Sequence, residues 1–469
     1  AFSYHTIAQR INQTPNNNLS TVKTKMGSVV KKQKYERFFV PVSHFGSMRE
    51  NISLDEIGSA FTLGTESFEN IYILKENENE LKEYFGPNMN VGYFSNIEAL
   101  IEDIDINDLA LIPFDYLSPK LKLIFVEGQN ILNKDLLNAD IVYPKTESLI
   151  DAGDGKTSNR NTDEMAQISM TGVTAISRTV QKMIDIKQDP VYPAREVMDV
   201  LKGSDIVVVN SENSFFKGCP ANEAESLILC GKDTSIESLK AIGANVVDLA
   251  GNHQNDFGQE KFIESIGHLE SAGFEYFGGG RDANDAEKIL YKNIGDFKIA
   301  FLSYAYFDSL NGPGYRNIAA ENRAGVNFYE PTRVNLDIKK AKENSDFVIV
   351  DYQFTESYNY SPLKEQVAVF KNTIDAGADM VFGVQAHQPQ KIELYGNGVI
   401  FYGLGNFFFD QMWSEPTRQG IIPRMNFIND RLVNIEILTT LLFDYSQPRF
   451  TSGKERESLL ENILPKKTE

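Results

Sequence analysis

The feature that most restricts the fold is a regular alternation that begins near residue 165. Short apolar runs recur at 166–171 (AQISMT), 205–209 (DIVVV), 245–250 (NVVDLA), 298–304 (KIAFLSY), 346–352 (DFVIVDY), 379–383 (DMVFG) and 398–403 (GVIFYG). Stretches of helical spacing separate them. Phe262, Ile266 and Leu269 share one helical face before a stop at Gly273, and Val367, Phe370 and Ile374 share another before Gly377. Runs of this length alternating with amphipathic helices are the pattern of βαβ units around a largely parallel sheet. The spacing predicts an α/β domain of mostly parallel strands over 165–430.

Residues 1–150 read as a smaller α/β domain, with strand-like runs at 36–42, 70–75, 108–113 and 121–128 and helix-compatible stretches at 78–86 and 97–104. The segment 151–164 (DAGDGKTSNRNTDE) has no large apolar residue, cannot build a core, and is expected to be a linker. At the far end, 431–469 should add a strand (RLVNIEILTTL), a proline break and a helix near 455–463, packed on the larger domain.

Composition narrows the functional classes. Hydrophobic residues at 42 % and charged residues at 24 % describe an ordinary folded chain and exclude collagen-like or disordered classes. With 46 basic and 65 acidic residues the net charge is −19, which repels nucleic acid and anionic membrane surfaces. No apolar run approaches the ~20 residues of a membrane-spanning helix. The sequence starts at Ala1 without an initiator Met, so an exported, trimmed product is expected, at the cell surface or outside it, with any anchor removed. Cys219 and Cys230 lie in one polar loop (GCPANEAESLILC); they are either two free thiols or a disulfide worth about 3 kcal/mol. Without a CxxC or a nearby His they do not suggest zinc.

Ligands in open α/β sheets gather at the carboxyl ends of the strands. Here those ends lead into Gly172-Val173-Thr174, Asn210-Ser211-Glu212-Asn213, Gly251-Asn252-His253-Gln254-Asn255-Asp256, Gln353 with Glu356, Gln385-Ala386-His387, and Gly405-Asn406. Six loops thus deliver amides, carboxylates and two of the five histidines toward one sheet edge. His253, Glu212 and His387 are the expected catalytic groups, and Asn252, Gln353, Glu356, Gln385, Asn406 and Arg178 the expected substrate contacts. Ordinary roles stand beside these. Either histidine could satisfy a strand end, Glu212 could pair with a surface lysine, and Asn406 could serve only its turn. Asp256 is expected to cap the helix at 258–271. His5, His44 and His268 carry no functional expectation.

The same residues carry a resemblance. GANVVDLAGNHQNDFG with the following AGFEYFGGGRD, the later IDAGADMVFGVQAHQPQKIELYGNGVIFYGLGNFFFDQM, and the earlier VVVNSEN and MTGVTAISR occur in order over roughly 165–415. Together they resemble the signature segments of the CapA family of bacterial capsule or poly-γ-glutamate synthesis proteins. The N-terminal region and the tail resemble a long-form subgroup with an extra α/β domain. The resemblance implies a metallophosphoesterase-like (calcineurin-like) fold and a role in the biosynthesis of poly-γ-glutamate or another cell-envelope polymer, as a hydrolase or transferase on that polymer.

Three departures from the family pattern bear on chemistry. Val173 stands where the family carries Asp, Gln353 where it carries His, and Gln385 replaces the first His of a His-x-His pair. Hard and borderline cations need anionic or imidazole donors, so a standard dimetal centre is not expected. What remains is Glu212, Asn252, His253 and His387, a poor two-metal cage, of which Glu212, Asn252 and His387 could hold one weakly bound divalent cation (Mn, Zn or Mg) or none. The alternative to an enzyme is a non-catalytic polymer- or sugar-binding protein on a degenerate phosphoesterase fold; a third reading is a plain metallophosphoesterase with nonstandard ligands. Charge opposes the polyglutamate substrate, because a −19 chain repels a polyanion within a Debye length. Binding one would need a local basic cluster, for which Arg178, Lys217 and Arg281 are the nearest candidates.

Overall fold

The structure, a computed structural model, describes residues 20–23, 29–151, 155–220, 226–306 and 317–466. From Met165 the alternation is realised as β1 (Met165–Thr174), α1 (Arg178–Lys187), β2 (Ile206–Ser211), α2 (Ile236–Ala241), β3 (Val246–Asp248), α3 (Gln259–Ser271) and β4 (Glu275–Phe277). It continues through β5 (Leu290–Ile294), β6 (Phe297–Ala305), α4 (Pro331–Asn344), β7 (Phe347–Gln353), α5 (Lys364–Asp375), β8 (Met380–Val384), β9 (Ile392–Tyr395) and β10 (Gly398–Phe401). The last elements are β11 (Gln419–Ile428), β12 (Arg431–Phe443), β13 (Gln447–Phe450) and α6 (Gly453–Ile463).

These strands make two sheets, ordered β4-β3-β2-β1-β11-β12-β13 and β5-β6-β7-β8-β10-β9. The β1 to β4 neighbours are parallel, as are β6, β7, β8 and β10; β1–β11, β11–β12, β12–β13, β5–β6 and β9–β10 are antiparallel. Alternate side chains on each strand face opposite layers. Val208 and Ile168 join Phe301, Ile349 and Phe382 in one core between the sheets. Val207 and Val209 turn the other way onto Ile184, Leu239 and Phe262 of α1 to α3, while Val348 and Val350 meet Ile338 and Phe370 of α4 and α5. Burial on both faces explains why the strands read as unbroken apolar runs. Helix, sheet, sheet and helix in layers is the metallophosphoesterase-like fold.

The sequence reading has no strand at 419–428, where Pro423 interrupts the run. The structure places β11 there between β1 and β12. The ladder to β1 ends at Ser169 opposite Arg424, so Pro423, which has no N–H, pairs only with Ile437 of β12.

Residues before the linker form their own sheet around the long strand Val29–His44, with a core that includes Phe38, Phe61, Leu81 and Leu111. Met165 and Val433 of the larger unit reach into that core. Within the polar stretch 151–164, residues 152–154 lie outside the described residues, but Arg160 is buried and donates to the carbonyls of Ile131, Asn133 and Leu136. The boundary at 430 falls in the turn of the β11–β12 hairpin, so the strand from Arg431 continues the first sheet. Helix α6 adds Leu459, Leu460 and Ile463 to the inter-sheet core.

Candidate functional site

Glu212 follows β2, and Asn252 and His253 follow β3, all from the first sheet. Gln353 ends β7, Gln385 and His387 follow β8, and Asn406 follows β10, from the second. Bridges between Asn213 and His253 and between Val173 and Asn406 draw these loops together, and the His253 N–H donates to the Glu212 carbonyl at 3.1 Å. The seven residues therefore meet at the carboxyl edge of both sheets.

The floor is a network of amides and carboxylates. Gln353 Nε2 donates to Asn252 Oδ1 at 3.0 Å and to Gln385 Oε1, and reaches Glu212 Oε1 at 3.5 Å. Gln385 Nε2 in turn reaches Glu356 Oε1 at 3.5 Å. Glu212 and Gln353 are each only 1 % exposed, yet Glu212 Oε2 and Gln353 Oε1 have no hydrogen-bond partner among the described residues. Buried acceptors left unpaired cost stability.

His387 lies in the centre. Its Nδ1 faces Asn406 Oδ1 at 2.9 Å, and its Nε2 is 3.9 Å from Glu212 Oε1 and 3.8 Å from Glu356 Oε1. Asn406 is held by donating to the His387 carbonyl, Gln411 and the Thr417 carbonyl, so it orients the imidazole as well as serving its turn. Burial alone would push His387 down, but Glu356 and Glu212 outweigh it and hold the ring above its usual range. The same contact with His387 holds the Glu356 carboxyl below its usual range.

His253 Nδ1 is 2.6 Å from Asp256 Oδ2, which also accepts the Leu229 N–H at 2.7 Å. Burial opposes the charged ring, and Asp256 and Glu212 together overcome it, raising the histidine. Asp256 therefore does not cap the helix, as the sequence reading expects. The cap position of α3 is Gly258 at φ 88°, and the carboxylate turns back to His253 instead. The His-x-x-Asp spacing was the available signal.

Arg178 sits at the rim, but its guanidinium pairs with Asp410 and lies 5.1 Å over the Phe409 ring. Arg281 is similarly tied to Glu270 and Asp285. Cys219 and Cys230, left open by the sequence, are joined as a disulfide with Cα atoms 6.0 Å apart. The bridged loop ends at the site, where the Ser226 carbonyl accepts from Arg178 and Leu229 donates to Asp256.

Two groups escape the sequence reading. Phe409, His387 and Tyr358 are stacked in turn, with centroids 5.1 and 5.7 Å apart, and Trp413 lies 6.0 Å beyond Tyr358 with its ring tilted by 57°. Beneath the floor, Asn210 Nδ2 lies 3.4 Å from both Asp248 Oδ2 and Asp351 Oδ2, one carboxyl from each sheet. Burial pushes both acids up, and the charge of Asp248 raises Asp351 further. An Asp inside each otherwise apolar run, NVVDLA and DFVIVDY, was the signal. Arg178, Tyr358, Gln385 and His387 all adopt positive φ, 45° to 76°, a concentration of backbone strain typical of functional sites.

The donor set does not fit two metals. Val173 is fully buried and apolar, and the Gln353 amide nitrogen, itself a donor, lies among the oxygens of Glu212, Asn252 and Gln385. Among the described residues no three His, Cys, Asp or Glu side chains are grouped to hold a metal ion. One cation at Glu212, Asn252 and His387 would have to displace that amide nitrogen. No described helix is long and apolar enough to cross a membrane.

The chain is similar to the capsule biosynthesis protein CapA of Bacillus anthracis, 29 % identical over 308 residues, covering 64 % of this chain and 73 % of that one. It is likewise 29 % identical to the PGA biosynthesis protein CapA of Bacillus subtilis (strain 168) over 264 residues, covering 55 % and 67 %. A 5′-nucleotidase precursor from Thermus thermophilus superposes with a TM-score of 0.37 at 9 % identity, covering 64 % of this chain and 58 % of that one. Residues 167–411, more than half of the chain, match the model of the bacterial capsule synthesis protein family PGA_cap, and the chain belongs to that family.

Proposed function

We propose that this chain is an exported protein of capsule-type polymer biosynthesis, for polyglutamate or another envelope polymer, and acts on that polymer as a hydrolase or transferase. The family supports the polymer setting, and the disulfide suits an oxidising compartment outside the cytoplasm. The observation that carries the chemistry is the pair of raised imidazoles beside a buried carboxylate with an unpartnered oxygen. In this reading Glu212 takes a proton from water, or from an acceptor group, as that oxygen attacks the backbone of the polymer. His253, held by Asp256, gives its proton to the departing atom. His387 and the amides of Asn252, Gln353 and Gln385 orient the scissile group. Val173, Gln353 and Gln385 in place of ligands favour a second reading, a polymer-binding protein without turnover.

Polymer extracted from the producing cells, followed by size-exclusion chromatography, separates the two. His253→Ala and Glu212→Ala are expected to slow chain-length change by about 10²–10⁴-fold with little change in affinity. Variants that lose affinity, in a protein whose wild type never shortens or transfers the polymer, would contradict the enzyme and establish the binder.

A further inference from the structure

Four carboxylates stand at or beside the site, and three of them are matched by a cation of their own. Asp256 lies 2.6 Å from His253 Nδ1, Asp410 pairs with Arg178, and the buried Glu212 faces His387 Nε2 at 3.9 Å. Glu356 is the fourth. It reaches the same His387 Nε2 at 3.8 Å, Gln385 Nε2 at 3.5 Å and the Tyr358 hydroxyl at 3.3 Å, and its side chain is 53 % exposed. Contacts longer than a good hydrogen bond and half in water hold a carboxylate weakly. Glu356 can therefore be displaced where the others cannot.

The place it fills is shaped for a carboxylate. Asn406 Nδ2 donates to the His387 and Thr417 carbonyls, so its Oδ1 is the acceptor facing His387 Nδ1. His387 Nε2 has the oxygens of Glu212 and Glu356 before it. With an acceptor before each nitrogen, the ring is held as a cation. Phe409 and Tyr358 cover its two faces, which leaves the Nε2 edge as the approach. Gln385 Oε1 accepts from Gln353, and its Nε2 is thereby turned to the same place. An imidazolium N–H and an amide N–H converging on a half-exposed position suit an anionic oxygen. The backbone beside Glu356 is pinned, since the Tyr358 N–H donates to the Ala386 carbonyl at 3.1 Å and Gln390 Nε2 to the Asn359 carbonyl at 3.0 Å. Exchange therefore needs only one side chain to swing outward. An incoming carboxylate then replaces like with like, and the local charge balance is unchanged.

We propose that Glu356 is a resident stand-in for a carboxylate of poly-γ-glutamate, which displaces it and takes over its contacts with His387 and Gln385. This rests on the polymer reading of the site and adds a carboxylate subsite to it. Calorimetry tests it with a poly-γ-glutamate decamer, a β-1,4-glucuronate decamer and acetate, the fragment that Glu356→Ala removes. The proteins are wild type, Glu356→Ala and, as a control for overall charge, Glu461→Ala at an exposed position of α6. Glu356→Ala should bind polyglutamate about tenfold tighter than wild type, because no resident group has to leave first, and Glu461→Ala should match wild type. Acetate should bind Glu356→Ala about tenfold tighter than wild type and compete there with polyglutamate. Equal polyglutamate affinity in wild type and Glu356→Ala, the same tightening in Glu461→Ala, a preference for glucuronate, or no acetate binding to Glu356→Ala overturns the stand-in. Acetate bound by Glu356→Ala in a protein that takes neither decamer would instead overturn the polymer reading and leave the carboxylate subsite standing.

Discussion

Replacing Gly251 by alanine is expected to cost about 3 kcal/mol or more, at the upper end of overpacking substitutions. A Cβ there would lie 2.4 Å from the Ser211 carbonyl oxygen and 2.5 Å from Glu212 Cα. Both are backbone atoms of the loop after β2 and cannot swing aside as the end of a side chain can. Relief would require the loops carrying Glu212 and His253 to separate, breaking the 3.1 Å bond from the His253 N–H to the Glu212 carbonyl. Stability and polymer binding should fall together. Gly267 on α3 is the control: nothing lies within 4 Å of its added Cβ, so alanine should stabilise by about 0.5–1 kcal/mol through helix propensity. Urea denaturation of both variants checks this, and equal midpoints would contradict the close approach of the two loops.

The second large effect concerns Asp248 and Asp351. The Asp248 carboxyl is pushed up to about 6 by burial, and Asp351 is also raised, by burial and by the Asp248 charge. The folded protein therefore holds protons that the unfolded chain releases near pH 4, so stability present at low pH is lost as pH rises through the raised folded values. Asp351→Asn keeps a polar group able to donate to Asp248 and removes one buried charge. It should raise stability at pH 8 by on the order of 2 kcal/mol, leave it little changed at pH 4–5, and flatten the decline between. Thermal melts of wild type and variant across pH 4.5–8 read this directly. Parallel curves at every pH would show that the pair carries no coupled charge.

Periodicity made the larger domain legible. Residues such as Val207, Val208 and Val209 announce a strand covered on both sides, and the strand ends then point to Glu212, His253, Gln353 and His387. What packs across the sandwich is not written in any one segment. Asp248 and Asp351 each look like an isolated acid in an apolar run, and only the facing of two sheets makes them a pair. Tyr358 and Trp413 lie in separate loops and become neighbours through the fold. Asp256 has the composition of a helix cap, and the turn ending in Gly258 redirects it to His253. Strand β11 was hidden because a proline argues locally against a strand, while the place where its ladder to β1 stops is a tertiary fact.

An amide network built on Gln353 stands where a two-metal centre would need anionic and imidazole ligands. Elemental analysis tests it most directly, on protein purified without a metal-affinity step and then incubated with Mn²⁺ or Zn²⁺ and desalted. With Val173, Gln353 and Gln385 in place, the expected content is no more than one ion per chain. Two tightly held ions per chain would contradict it.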